Sequence, residues 1–176
     1  MRTFLITALL LIGPTVVQAA ENALPSNAPP TEETQNDPDA YMDDRSDPVA
    51  VITSFYNAIN RQEYVRAYSY YGDAAQAGDY QKFADGYADT AHVELLTGKA
   101  TSDGAAGSIY YSLPIAIDAK AADGSHKQYA GCYLLRLSNP QVQATPPFNP
   151  MHIEKGALKP ASGALDAILP SKCDFD

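Results

Sequence analysis

The apolar residues of this chain change their period once, near Ala91, and that change constrains the fold more than any other feature. Before it they recur at helical spacing. Val51, Ile52, Phe55 and Ile59 form one stripe, broken at Asn60-Arg61-Gln62 and resumed by Tyr64, Ala67, Tyr68 and Tyr71 at i, i+3, i+4 and i+7. Asp47-Pro48 reads as the start of the first helix: an Asp carboxylate caps the free N–H groups of the first turn, and proline at the first helical position has no N–H to leave unpaired. Gly72 reads as the stop of the second helix. A third, short helix starts at Asp79 and is expected to bury Tyr80, Phe83 and Tyr87. After Ala91 the spacing is two. Val93 and Leu95 alternate with His92 and Glu94. Ile109, Tyr111, Leu113, Ile115 and Ile117 oppose Tyr110, Ser112, Ala116 and Asp118. Beyond the Asp123-Gly124 turn signal, Tyr129, Tyr133, Leu135 and Leu137 share a face, and a proline-rich loop leads to a last strand, MHIEKGALK. Pro114 has no N–H for a ladder and marks an edge or a bulge. Helices followed by an antiparallel meander of four or more strands predict an α+β domain, with N-terminal helices packed on one face of a curved sheet.

This order of elements, with the aromatic-rich first helix ending in Asn60 within AVITSFYNAINRQEYVRAYSYYG, resembles the nuclear-transport-factor-2-like superfamily over residues 48 to about 160. The resemblance implies a cone-like α+β barrel in which a strongly curved antiparallel sheet and the helices enclose a pocket. That fold is shared by ketosteroid isomerases, scytalone dehydratases, polyketide cyclases and many non-catalytic binding domains. It also implies where isomerase chemistry would sit. The catalytic tyrosine falls on Phe55, which has no hydroxyl, and Tyr56 beside it is turned ~100° around the helix. The general-base aspartate falls in LLTGKATSDG, read as a glycine-rich loop in which Asp103 is the only carboxylate. A dehydratase of the scytalone type needs a histidine aimed into the pocket. His92, His126 and His152 each stand opposite the more apolar residues of their strands, on the face expected to be solvated.

Residues 1–19 read as a secretory signal peptide, with Arg2 at the start, an apolar run from Phe4 to Ile12 and the small-residue pattern Val17-Gln18-Ala19 before the cut. The run is shorter than the ~20 residues that cross a bilayer, and Gly13-Pro14 breaks it. A bacterial exported protein, periplasmic or secreted, is expected. The formal charge of −9 is a property of one segment: residues 20–47 hold eight acids, one base and four prolines. Such a stretch buries too little apolar surface to offset ordering entropy, so it is expected to be a disordered linker that folding does not need. Residues 48–160 make one domain's length, and 161–176 a C-terminal tail. No basic patch points to nucleic acid, and no later segment is apolar enough to span a membrane.

Tyrosine is the conspicuous residue type: there are twelve, against five phenylalanines and no tryptophan. A buried tyrosine needs a partner for its hydroxyl, so an ordinary core favours Phe or Leu. Two readings stay open. The rings stand at the rim of a core with their hydroxyls in water, or Tyr56, Tyr68, Tyr71, Tyr87, Tyr111 and Tyr133 line a semi-polar pocket for a small apolar or amphipathic ligand, with the loop of Phe148 near its mouth. Cys132 and Cys173 are expected to form a disulfide that ties the tail to the sheet. His152 and Glu154 share a strand face, but zinc sites use three or four donors, so no metal or cofactor is expected. On function the sequence leaves three alternatives: an exported, non-catalytic domain binding a small amphipathic molecule or a cell-envelope partner; an isomerase, dehydratase or cyclase using a pocket tyrosine as acid; and an assembly module forming a homodimer through its sheet. They differ in whether a perturbed acid or base sits at the bottom of the pocket and whether the sheet leaves a large apolar patch open.

Overall fold

In the computed structural model, which describes residues 40–175, Asp47 caps the first helix. Its carboxylate accepts from the N–H groups of Val49 (2.8 Å) and Ala50 (3.0 Å), and α1 runs Pro48–Asn60. The stripe of Val51, Ile52, Phe55 and Ile59 is wholly buried. The readings for residues 1–19 and 20–39 lie outside the described residues.

The second helix departs from expectation. A stripe reaching Tyr71 requires helix throughout, yet α2 ends early, at Tyr64–Tyr68. The chain then leaves the helix through a turn at Ser69 and Tyr70, Tyr70 enters the core with no exposed surface, and Tyr71 forms a parallel bridge with Ile153. The Ile153 N–H donates to the Tyr70 carbonyl (2.7 Å) and the Gly72 N–H to the Ile153 carbonyl (3.3 Å). Gly72 is therefore no helix stop but a point of close approach, where an added Cβ would lie 2.3 Å from His152 Cδ2. A short helix not anticipated, α3 (Ala74–Ala77), precedes α4 (Tyr80–Tyr87). Helix α4 starts from Asp79 as expected, and the Asp79 carboxylate caps it, accepting from the Lys82 N–H at 3.0 Å. Tyr80 is exposed rather than buried, because α4 presents only its Phe83 and Tyr87 side to the core.

The strands are β1 (Thr90–Thr97), β2 (Thr101–Ala105), β3 (Ser108–Ala121), β4 (His126–Ser138) and β5 (His152–Ala161). They form one five-stranded antiparallel sheet in the order β1-β3-β4-β5, with β2 also pairing with β3. The protein is thus an α+β fold with N-terminal helices packed on an antiparallel sheet. The stretch read as a glycine-rich loop contains β2, which folds back on β3 as a hairpin. Pro114 sits neither at an edge nor in a bulge but in the central strand β3. Strands β1 and β2 lie end to end along the same side of β3, covering residues 115–121 and 108–112, and Pro114 falls at the break. The Gly98 N–H donates to the Pro114 carbonyl at 2.8 Å, so the proline turns its backbone polar groups to that gap. Its missing N–H therefore costs the β3–β4 ladder nothing.

The inner face of the sheet (Leu113, Ile115, Ile117, Tyr133, Leu135 and Ile153) packs into one core with α1. On the outer face Pro114, Ala116 and Cys132 are also buried, since the C-terminal residues cross it. There α5 (Leu165–Ile168) lies against β3, the Gly163 N–H donates to Gln128 Oε1 (3.0 Å), and Cys132 is joined to Cys173 in a disulfide with the Cα atoms 5.8 Å apart. The middle of the face through which two copies would pair is therefore covered by the chain's own tail.

Residues 40–47, assigned by composition to the linker, form instead a strap over α1. Asn57 Nδ2 donates to the Ala40 carbonyl (2.8 Å) and Asn57 Oδ1 accepts from the Met42 N–H (3.1 Å), while the Asp44 N–H donates to Ser54 Oγ (2.9 Å). Arg45 stacks over the Tyr70 ring (4.1 Å), and the Tyr70 hydroxyl donates to Asp43 Oδ1 (2.6 Å). Composition averaged over the whole acidic segment conceals these last residues, whose backbone groups are satisfied by polar side chains of α1. The hydrogen bond from Tyr70 holds the Asp43 carboxyl below its usual range, against an opposing effect of burial and with help from Arg45. A carboxyl whose folded pKa is depressed contributes stability above the unfolded value of about 3.9 and loses it as pH falls through the folded one. Acidification below about pH 4 is therefore expected to loosen the strap. The amide resonances of Met42 and Asp44 report it, and Tyr70→Phe should weaken the acid dependence; an unchanged dependence in that variant would refute the coupling.

Candidate functional site

Between α1, α4 and the inner faces of the strands lies a cavity of about 580 Å³. Four of the six tyrosines expected to line a pocket do so: Tyr56, Tyr71, Tyr87 and Tyr133. Each arrives from a different element. Tyr56 is on α1, Tyr71 on the segment bridged to β5, Tyr87 at the end of α4 and Tyr133 on the inward face of β4. Phe55 organises them from behind, its ring in edge-on contact with all four at centroid distances of 4.9 to 6.4 Å. Gly156, opposite Tyr133 on β5, makes room for that ring, since a Cβ there would fall 2.7 Å from Tyr133 Cε1.

The other two tyrosines are placed differently. Tyr68 donates its hydroxyl to the Gly78 carbonyl at 2.7 Å, outside the cavity. Tyr111 faces inward as its alternation implies, but toward the β2 end of β3, whereas Ile117, Ala119 and Ala121 at the opposite end line the cavity. Tyr129, not singled out from the sequence, does line it. Its alternation with Tyr133 was the available signal. Phe148 is 75% exposed and takes no part in the lining, because its loop leaves β4 at the far end. Phe55, at the position the resemblance gives to a catalytic tyrosine, is core, and Asp103 is exposed on β2 away from the cavity.

None of the three histidines lines the cavity. His126 is exposed and bonded to Asp118 at 2.7 Å, and His92 is half-buried. His152, expected to be solvated, is only 3% exposed, because the 70–72 segment docks over its edge of the sheet. Its Nδ1–H donates to the Pro150 carbonyl (2.9 Å), and Nε2 lies 3.4 Å from Glu154 Oε2.

The electrostatics of the cavity are those of neutral phenols. Burial pushes Tyr71 up to about 12. Burial likewise raises Tyr56, Tyr87 and Tyr133; neighbouring phenols add to the rise at Tyr87 and Tyr133, whereas the hydrogen bond with Tyr133 partly offsets it at Tyr56. All four stay protonated at neutral pH. The Tyr56 and Tyr133 hydroxyls bond to each other at 3.0 Å. The hydroxyls of Tyr71 and Tyr87 take no protein partner among the described residues. One proton of the four is thus spent inside the protein and three remain to be donated. The remaining charged groups of the lining, Lys82, Asp85, Asp89 and Lys127, are exposed and stand at the rim. Among the described residues, no helix is long and apolar enough to cross a membrane.

No family model matches the sequence, and no curated protein matches it. Among solved structures the chain is similar to a proposed dehydratase of the NTF2-like family from Streptomyces avermitilis, with 10% identity and a TM-score of 0.44, over 64% of this chain and 93% of that one.

Proposed function

We propose that this is an exported domain that holds a small, uncharged molecule with an apolar body and an acceptor oxygen in the tyrosine-lined cavity. The observation that carries the reading is that Tyr71 and Tyr87 bring to a largely apolar cavity hydroxyls that have no protein partner among the described residues. Donors left without a partner favour an acceptor in the guest. The floor holds no cation to offset a buried anion, which favours a neutral guest. Binding is preferred to turnover because burial holds the protons on these phenols, whereas an acid catalyst works best with a pKa near the ambient pH. Export is supported by the leader pattern and by the disulfide, which suits an oxidising compartment.

The test compares the naphthyl ketone fluorophore prodan with dimethylaminonaphthalene, which lacks the carbonyl. Prodan is expected to bind saturably at one site and about tenfold more tightly, the worth of one or two neutral hydrogen bonds. In Tyr71→Phe/Tyr87→Phe its affinity should fall toward that of the carbonyl-free amine, and Ala119→Trp, which fills the cavity from β3, should abolish binding of both probes. Failure of wild-type protein to bind either probe would overturn the reading.

A further inference from the structure

Helix α4 supplies Lys82, Phe83, Asp85, Gly86 and Tyr87 to the cavity wall, yet none of its residues is fully buried. A helix with so little core of its own is held by what grips its ends. Those grips come from two tyrosines one turn apart on α2. The Tyr68 hydroxyl donates to the Gly78 carbonyl just before α4 (2.7 Å), and the Tyr64 hydroxyl donates to the Tyr87 carbonyl at its last turn (3.2 Å). Neither tyrosine lines the cavity. The helix is bounded by Gly78, whose φ of +79° is costly for any residue but glycine, and by Asp89, whose carbonyl accepts from the Ala122 N–H (2.9 Å). Beneath it the Phe83 ring touches those of Phe55, Tyr68, Tyr71 and Tyr87 only by their edges.

We infer that α4 is a gate over the cavity and that Tyr64 and Tyr68 are its two latches. This rests on the cavity being a binding site, but it assigns to these two residues a role separate from recognition. When the hydroxyls release the two carbonyls, the helix swings between Gly78 and Asp89, and Phe83 and Tyr87 draw back from the cavity. The latches are bonded to main-chain oxygens, not to the guest, so they set the rate of exchange and leave the bound contacts as they are. Each neutral hydrogen bond lost raises the open population by about three- to tenfold.

The experiment is stopped-flow binding of prodan to wild type and to Tyr64→Phe/Tyr68→Phe, with hydrogen exchange of both proteins free of probe. The double variant should bind and release prodan at least about threefold faster in both directions, with Kd within a factor of about two. Its residues 80–87 should exchange faster than in wild type while those of α1 do not change. Unchanged rates, or a weaker Kd with an unchanged association rate, would overturn the gate, because the hydroxyls would then act on the bound state or not at all. Should prodan bind neither protein, the ligand reading fails and hydrogen exchange alone decides the gate: equal exchange over residues 80–87 refutes it.

Discussion

Phe55→Ala is expected to lower stability by about 3 to 5 kcal/mol, the range for emptying an aromatic site in a packed interior. Phe55 has no exposed surface, and its ring meets six others, from Tyr56, Tyr70, Tyr71, Phe83, Tyr87 and Tyr133. Those rings come from α1, α4, β4 and the 70–71 segment. The cavity left by Phe55→Ala could not be filled by one side chain without pulling a second element out of register. For a domain of this size the melting temperature should fall by roughly 10 to 20 °C. Urea denaturation with the slope held constant gives the free energy directly. A loss below about 1 kcal/mol would mean that the rings settle around the gap, and that Phe55 does not set the positions of the four tyrosines.

Replacing both cysteines, as in Cys132→Ser/Cys173→Ser, should cost about 3 to 4 kcal/mol by the chain entropy of a closed loop of this length, the two residues being 41 apart. The loss should have a local signature as well as a global one. With the clamp gone, the tail keeps the half-buried Leu165, Ile168, Leu169, Pro170 and Phe175 as its apolar anchors. The outer face at Pro114 and Ala116 should then open to solvent, with exchange rising along the middle of β3. Thiol labelling of the denatured, unreduced wild-type protein should find no free sulfur. Two labelled thiols, or a serine variant as stable as wild type, would remove the clamp from the account.

What could be read in the chain beforehand was whatever depends on near neighbours. Asp47 as a cap, the Val51 to Ile59 stripe and the alternation of β3 and β4 each follow from geometry within one element, and they suffice for the fold class. What could not be read depends on partners far along the sequence. Tyr70 enters the core because residues 70–72 pair with Ile153, more than eighty positions away, and the same docking buries His152 against its expected exposure. The strap was hidden because its order comes from Asn57, Ser54 and Tyr70 rather than from its own apolar content. At the site, periodicity indicates which rings share a face but not where along that face a cavity opens. Tyr111 and Tyr129 both point inward, and only the second reaches it. Nor does spacing show where a hydroxyl ends: Tyr68 lies one turn from Tyr64, and they reach the carbonyls of Gly78, just before α4, and of Tyr87, at its end, rather than the cavity.

The hydrogen bond between Tyr56 and Tyr133 has no fixed direction. Both partners are neutral phenols, either oxygen can give or receive the proton, and reversing the bond takes two hydroxyl rotations and no displacement of a heavy atom. The pair can therefore offer a guest a free O–H from Tyr133 or, turned around, a lone pair at the same oxygen. Where this pair lines it, the cavity can donate or accept. It answers the polarity of whatever enters instead of dictating it, so a ketone and an alcohol of the same shape would find equal accommodation at that end. Selection between them then falls to Tyr71 and Tyr87, whose hydroxyls have no such reversible pairing to each other.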